Sequence, residues 1–338
     1  MRTISTIGID LAKNVIHLHA VDRQHKVIAK KKLTRRKTME WLSQLSPCLI
    51  GIEACGGSHY WHRTLTAMGH QVKLISPQFV KPYVKSNKND ANDAAAICEA
   101  VTRPHMRFVP SKSVEQQDIQ SIHRVRFRLV GQRTALVNQI RGLLYEYGIT
   151  IPQGISSARK KLPILLDPET KSITSYFKIL LTDLYDEFID LDSRIAKLDH
   201  YITDVFSQSE ACQKIGKLPG IGPLTATALV ANIGDPGVFK NGRQMAAWLG
   251  LVPRQFSTGG KPKLGGISKR GDTYLRTLLV HGGRSVVRTS SGKSDQLSKW
   301  AQDLKARKGP QVAAVAVANK NARMIWAMLS TQAEYQAA

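Results

Sequence analysis

Acid is scarce in this sequence relative to its counterweight: 25 Asp and Glu stand against 49 Lys and Arg, a formal charge of +24. A compact chain with that excess repels itself unless a polyanion is its usual neighbour, so nucleic acid is the expected partner. Cysteine is scarce too. Cys48, Cys55, Cys98 and Cys212 have neither the paired spacing of a zinc site nor the density of a disulfide scaffold, and are read as reduced packing residues. No apolar run approaches the roughly 20 residues of a bilayer span, and Met1-Arg-Thr-Ile-Ser has no signal-peptide pattern, so a cytoplasmic protein without membrane attachment is expected. Aromatics, at 7%, are not interleaved through the basic loops, which argues against recognition by base stacking. With 42% hydrophobic residues among 338, there is still apolar material for about two domains with true cores.

Along the chain, apolar-polar alternation predicts strands at Ile7–Asp10, Val15–Val21 and Lys26–Leu33, a helix around Met39–Leu45, a strand Cys48–Glu53, a helix Ser58–Met68 and a strand over "HQVKLIS". A long basic helix, Val114–Tyr147, closes this mixed α/β region near residue 150. Next comes an apolar series at Phe177, Leu181, Leu184, Phe188, Leu191, Ile195, Leu198, Ile202 and Val205, with the steps of three and four that mark a coiled coil. An intramolecular helix pair and a dimer contact are both open for that stripe. The same segment holds Asp183, Asp186, Glu187, Asp190, Asp192, Asp199 and Asp204, a large share of the chain's acid. "LPGIG", at 218–222, reads as a turn of helix-hairpin-helix type whose Gly220 and Gly222 let backbone N–H groups approach a phosphate. A Gly- and Lys-rich loop then runs from "GLVP" into a helix, and helical stretches at Asp295–Lys305 and Val312–Leu329 follow.

Because acid is rare, its placement is informative. Between Met1 and Ser113 the carboxylates are Asp10, Asp22, Glu40, Glu53, Asp90, Asp93 and Glu99. Asp10 and Glu53 each end an apolar strand, where open α/β sheets border their ligand crevice. Asp90 and Asp93, three apart at a helix start, share one face. The plain alternative makes Asp90 an N-cap and Asp93 a first-turn acid. Four carboxylates converging on one edge repel one another unless a divalent cation neutralises them, and hard oxygen donors favour Mg²⁺ or Mn²⁺. Such ions support phosphodiester cleavage or transfer.

"IGIDLAKN", "GIEACGGSHYW", "VKSNKNDANDAAAICEAV" and "GLVPRQFSTGGK...GGISKRGDTYLR" together resemble the DEDD transposases of bacterial insertion sequences, in particular the insertion sequence 110 family and its 1111 subgroup. The likeness spans nearly the whole chain. It implies a RuvC-like domain of the RNase H fold over 1–150, a coiled-coil linker or dimerisation region over 151–208, and a mostly helical C-terminal transposase domain over 209–338. It also implies an acidic tetrad of Asp10, Glu53, Asp90 and Asp93 and a serine nucleophile, for which Ser257, beside Thr258, is the candidate. DNA, a structured bridge RNA as guide, and a dimer or tetramer with a composite site are the implied partners, beside the nucleoid of a bacterial cell.

Arg124, Arg126, Arg128 and Arg133 on the long helix, and Lys261, Lys263, Lys269, Arg270 and Arg276 around Ser257, are the expected contacts to nucleic-acid backbone. His59, just after Gly56-Gly57, is a possible support for a carboxylate. His17, His19 and His62 are read as ordinary structural histidines. Two other functions remain open: a metal-dependent nuclease that uses water, with Ser257 incidental, and a non-catalytic nucleic-acid scaffold.

Overall fold

The computed structural model describes residues 3–84, 89–169, 172–259, 261–331 and 334–335. Lys85 and Lys88, in the run ahead of Asp90, lie outside them, as does Gly260. The chain divides into two compact units, Met1–Ser113 and Val114–Ala338.

The first unit opens with a meander of β1 (Thr6–Leu11), β2 (Val15–Val21) and β3 (Val27–Thr34), followed by α1 (Arg35–Ser43), β4 (Leu49–Glu53), α2 (Ser58–Ala67), β5 (Gln71–Ile75), the short α3 (Pro77–Val80), α4 (Asp90–Val101) and β6 (Phe108–Val109). The six strands form one sheet in the order β3-β2-β1-β4-β5-β6. β1 is antiparallel to β2 and parallel to β4, and β4 is parallel to β5. Alternation determines the two faces. Ile7, Ile9, Ile16, Leu18, Ile50 and Ile52 point one way, into a buried core with Trp61 and Leu65 of α2 and Leu42 of α1.

The opposite face is covered by α4, and glycine permits it. A Cβ at Gly8 would lie 2.1 Å from the Ala94 carbonyl oxygen, and one at Gly51 would lie 2.8 Å from the Val101 Cβ. No real side chain tolerates the first approach. Bare backbone on two neighbouring strands therefore lets α4 lie directly on the sheet.

The second unit contains α5 (Val114–Tyr145), α6 (Ile155–Leu166), α7 (Ser175–Gln208), α8 (Glu210–Gly216), α9 (Pro223–Ile233), α10 (Gly242–Trp248), a hairpin of β7 (Pro253–Thr258) and β8 (Lys261–Ile267), α11 (Thr273–Thr289), α12 (Gln296–Lys308) and α13 (Pro310–Thr331). The long basic helix, expected to close the first domain, belongs to this unit. Leu129, Leu136, Val137, Ile140 and Leu144 of α5 share one core with Phe177, Leu181, Phe188, Leu191 and Ile195 of α7 and with Leu162 and Leu165 of α6. The coiled-coil stripe thus meets its partner helix inside the same chain. Acid on α7 answers base on α5 and α6: Asp199 pairs with Arg126, and Asp192 with both Arg133 and Arg159.

A second core, built from α8–α11 and α13, gathers Leu218, Ile221, Leu229, Leu249, Leu275, Leu279 and Ile325. The expected loop after "GLVP" is instead a two-stranded antiparallel hairpin with Ser257 opposite Pro262. Its described residues on β7 are all exposed, so no buried face imposed the alternation that would have marked a strand.

Candidate active site

Gly8 and Asp10 lie two residues apart on β1, hence on one face, and so do Gly51 and Glu53 on β4. Each strand reads Ile-Gly-Ile-acid. Each glycine admits α4, and on β1 the acid beyond it meets the first turn of that helix. Carboxylate oxygens of Asp10, Asp90 and Asp93 consequently all fall within 4.8 Å of one another. Glu53 lies outside that group but close by. The pairing of Ile9 with Ile52 sets Asp10 and Glu53 at adjacent strand ends. Burial, and then the charges of Glu53 and Asp10, push the Cys55 thiol up, so both carboxylates act on one neighbour.

The start of α4 differs from expectation in an informative way. Asn89, rather than Asp90, is the N-cap, its side chain accepting the Ala91 N–H at 3.0 Å. Capping therefore does not account for the Asp90 carboxylate, which is 62% exposed and faces His17, 3.6 Å from its Nδ1. Three carboxylates so close are a hard-oxygen donor set that suits a divalent cation, and such a cation would be held by Asp10, Asp90 and Asp93.

Several expected contacts have other employment. Arg276 is buried and donates to the carbonyls of Leu249 and Arg270 and to Thr273 Oγ1, so it braces the start of α11 and is not presented to a phosphate. Arg126 and Arg133 are held by Asp199 and Asp192. Gly220, at φ +83°, packs against Gly282 of α11, where a Cβ would lie 2.6 Å from a carbonyl oxygen, whereas Gly222 faces open space. His59 accepts the Lys112 N–H at 3.2 Å and fastens the end of the first unit.

Arg124, Arg128, Lys261, Lys263, Lys269 and Arg270 remain exposed. Ser257 is exposed on β7, and Gln255, two residues earlier on the same face, donates to its Oγ at 2.8 Å. Thr258 projects to the other face. His123, which no motif or spacing singles out, is buried between Tyr274 and Thr227 and its pKa is pushed down to about 4, first by burial and then by Arg126.

A mixed sheet in this order, with a helix bringing acids to the carboxyl end of its first strand, defines an RNase H-like DEDD domain, here followed by a mostly helical region. Comparison with known families agrees. Residues 7–149 match the family model for the DEDD transposase domain of insertion sequence IS110, and residues 212–299 match that described as "Transposase IS116/IS110/IS902 family". The chain is 51% identical over 334 residues to a "Probable family 20 transposase" of Pseudomonas aeruginosa, covering 98% of this chain and 99% of that one. It is 46% identical over 336 residues to the "Transposase for insertion sequence element IS1111A" of Coxiella burnetii, covering 99% and 92%. With the "Transposase for insertion sequence element IS1328" of Yersinia enterocolitica the figures are 40% over 332 residues, and 98% of each chain. The chain belongs to the IS110 family of transposases, and is a DEDD enzyme that binds and cleaves DNA strands.

Proposed function

We propose that this transposase is an RNA-guided DNA recombinase in which a carboxylate centre and a serine nucleophile act together in one composite site. The observation that carries the reading is the convergence of Asp10, Asp90 and Asp93 within 4.8 Å, beside Glu53. We assign all four to a Mg²⁺ or Mn²⁺ centre in a RuvC-like domain. When bound, the cation would neutralise these acids and stabilise charge on a phosphate. The chain's own residues do the rest. Gly8 and Gly51 set α4 at the right depth, and the turn starting at Asp90 delivers two carboxylates to one side of Asp10.

Ser257 is the proposed nucleophile: its Oγ gives up its proton to solvent and forms a bond to phosphorus as the bond to one flanking sugar oxygen breaks, that oxygen leaving as a hydroxyl with a proton from solvent and the phosphate staying on serine as a phosphoserine link. Gln255 holds that hydroxyl on one face of the hairpin, which favours Ser257 over Thr258. Exposed Arg124, Arg128, Lys261, Lys263, Lys269 and Arg270 supply backbone contacts. Sequence choice would fall to a bound guide RNA, consistent with few aromatics and a charge of +24. A dimer or tetramer, with a site shared between subunits, completes the reading, and the functional domain limits proposed are 1–150, 151–208 and 209–338, which follow the extent of the first family match and not the packing of α5 against α7.

A water-using nuclease is the second reading, favoured by one fact: the carboxylate cluster is complete within Met1–Ser113, while Ser257 belongs to the other unit. Both are tested by purifying the protein from cells that carry its flanking DNA, sequencing the RNA retained after a high-salt wash, and adding matching DNA. One discrete RNA and a covalent protein–DNA adduct, lost in Ser257→Ala and kept in Thr258→Ala, are expected. Cleavage that persists in Ser257→Ala without any adduct would establish the second reading instead.

A further inference from the structure

A histidine beside the carboxylates has no evident structural task. β2 runs antiparallel to β1 and sets His17 directly opposite Asp10, so the two side chains share the face that α4 covers. His17 is only 14% exposed, and its Nδ1 is buried without a hydrogen-bond partner among the described residues. Leaving such an atom unsatisfied is costly, because it gives up its bond to water and gains none in return. On the other side β3 places Lys32 opposite His17, a cation that offers no acceptor. The Asp90 Oδ2, at 3.6 Å, stands just beyond hydrogen-bonding range and belongs to an exposed side chain that a small rotation brings closer.

We propose that His17 is a positioning residue of the carboxylate centre: its Nδ1–H holds the outer oxygen of Asp90 and so fixes the direction in which that carboxylate meets a divalent cation. The proposal rests on reading the cluster as a metal centre. Its Nδ1 lies outside the group of atoms within 4.8 Å of one another, so His17 acts through Asp90 and not as a ligand. Because Asn89 caps α4, the cap does not orient Asp90. A hydrogen bond from β2 therefore ties the helix acid to the strand that pairs with Asp10.

The experiment titrates Mn²⁺ alone into the purified full-length protein and reads free ion by electron paramagnetic resonance, with thermal melts of each metal-free variant. His17→Phe is expected to weaken Mn²⁺ binding by about 10- to 100-fold, while His17→Asn, whose amide nitrogen takes the place of Nδ1, stays within about threefold of wild type. His17→Gln, which places its nitrogen where Nε2 sits, is expected to bind as weakly as His17→Phe. Wild-type affinity in folded His17→Phe overturns the proposal, as does an Asn variant no better than Gln. Should the Phe variant fail to fold, the Asn and Gln pair decides, and equal affinity in the two overturns it. Asp10→Asn separates the two levels. If it loses Mn²⁺ while His17→Phe does not, only the role of His17 fails, and if wild type binds no better than Asp10→Asn, the metal centre itself fails.

Discussion

At the scale of single residues, chemistry depends on which acids have no other task. Asp22 accepts two backbone N–H groups of its own turn, and Glu99 pairs with Arg103 one helical turn away. Asp90 is left out of the cap and Asp93 faces Asp10. Asp93→Asn keeps the shape and removes the charge, so DNA cleavage should fall by at least about 10²–10³-fold while RNA binding, measured by filter retention, stays at the wild-type level. Parallel loss of both would assign Asp93 to folding. The acidic residues were legible in the sequence because they were few. His17 was not, since its importance comes from register: only the pairing of β2 with β1 shows that it stands opposite Asp10. Arg276 misled for a similar reason. A basic loop looks the same whether its arginine reaches outward or turns in to brace three oxygens.

Among elements, strands β1–β5 and the long helices were readable, because one buried face forces a period of 2 or 3.6. The partner of α7 was not. A heptad stripe specifies an apolar neighbour without saying which, and α5, more than 30 positions upstream, fills that place. Where α5, α9 and α11 meet, His123 bridges Tyr274 and Thr227, and its pKa, at about 4, lies below the ordinary 6.5. Between those values the unfolded chain binds the extra proton and the folded one does not, so this contribution is whole above pH 6.5 and is lost as pH falls toward 4. Its full size is about 3 kcal/mol. The thermal midpoint should therefore drop from pH 7 to pH 5, and His123→Gln should flatten that slope. An unchanged slope in the variant would remove His123 as its source.

For the whole molecule, charge sets the conditions under which it works. Asp192 and Asp199 of α7 hold Arg126 and Arg133 of α5 and Arg159 of α6, so the base left for nucleic acid includes the exposed Arg124 and Arg128 of α5, the hairpin and the turn into α11. Affinity for nucleic acid should fall steeply as salt rises, and Lys263→Ala should reduce the slope of log K against log salt by about 1. Arg276→Ala should instead lower the melting temperature at every salt concentration, with the slope unchanged. A slope change there would return Arg276 to the binding surface. Among the described residues no helix is long and apolar enough to cross a membrane.

The bare backbone beneath α4 also bears on heredity. Any change at the first or second position of a glycine codon either installs a Cβ or stops the chain, and at Gly8 that Cβ meets the Ala94 carbonyl at 2.1 Å. The acids need not be touched for the enzyme to be silenced: lifting α4 off β1 carries Asp90 and Asp93 away from Asp10. Degenerate copies of such a gene are therefore expected to fail at codon 8 as readily as at the codons for the acids, and a saturation scan across residues 6–11 that recovers activity from any side chain at position 8 would refute this.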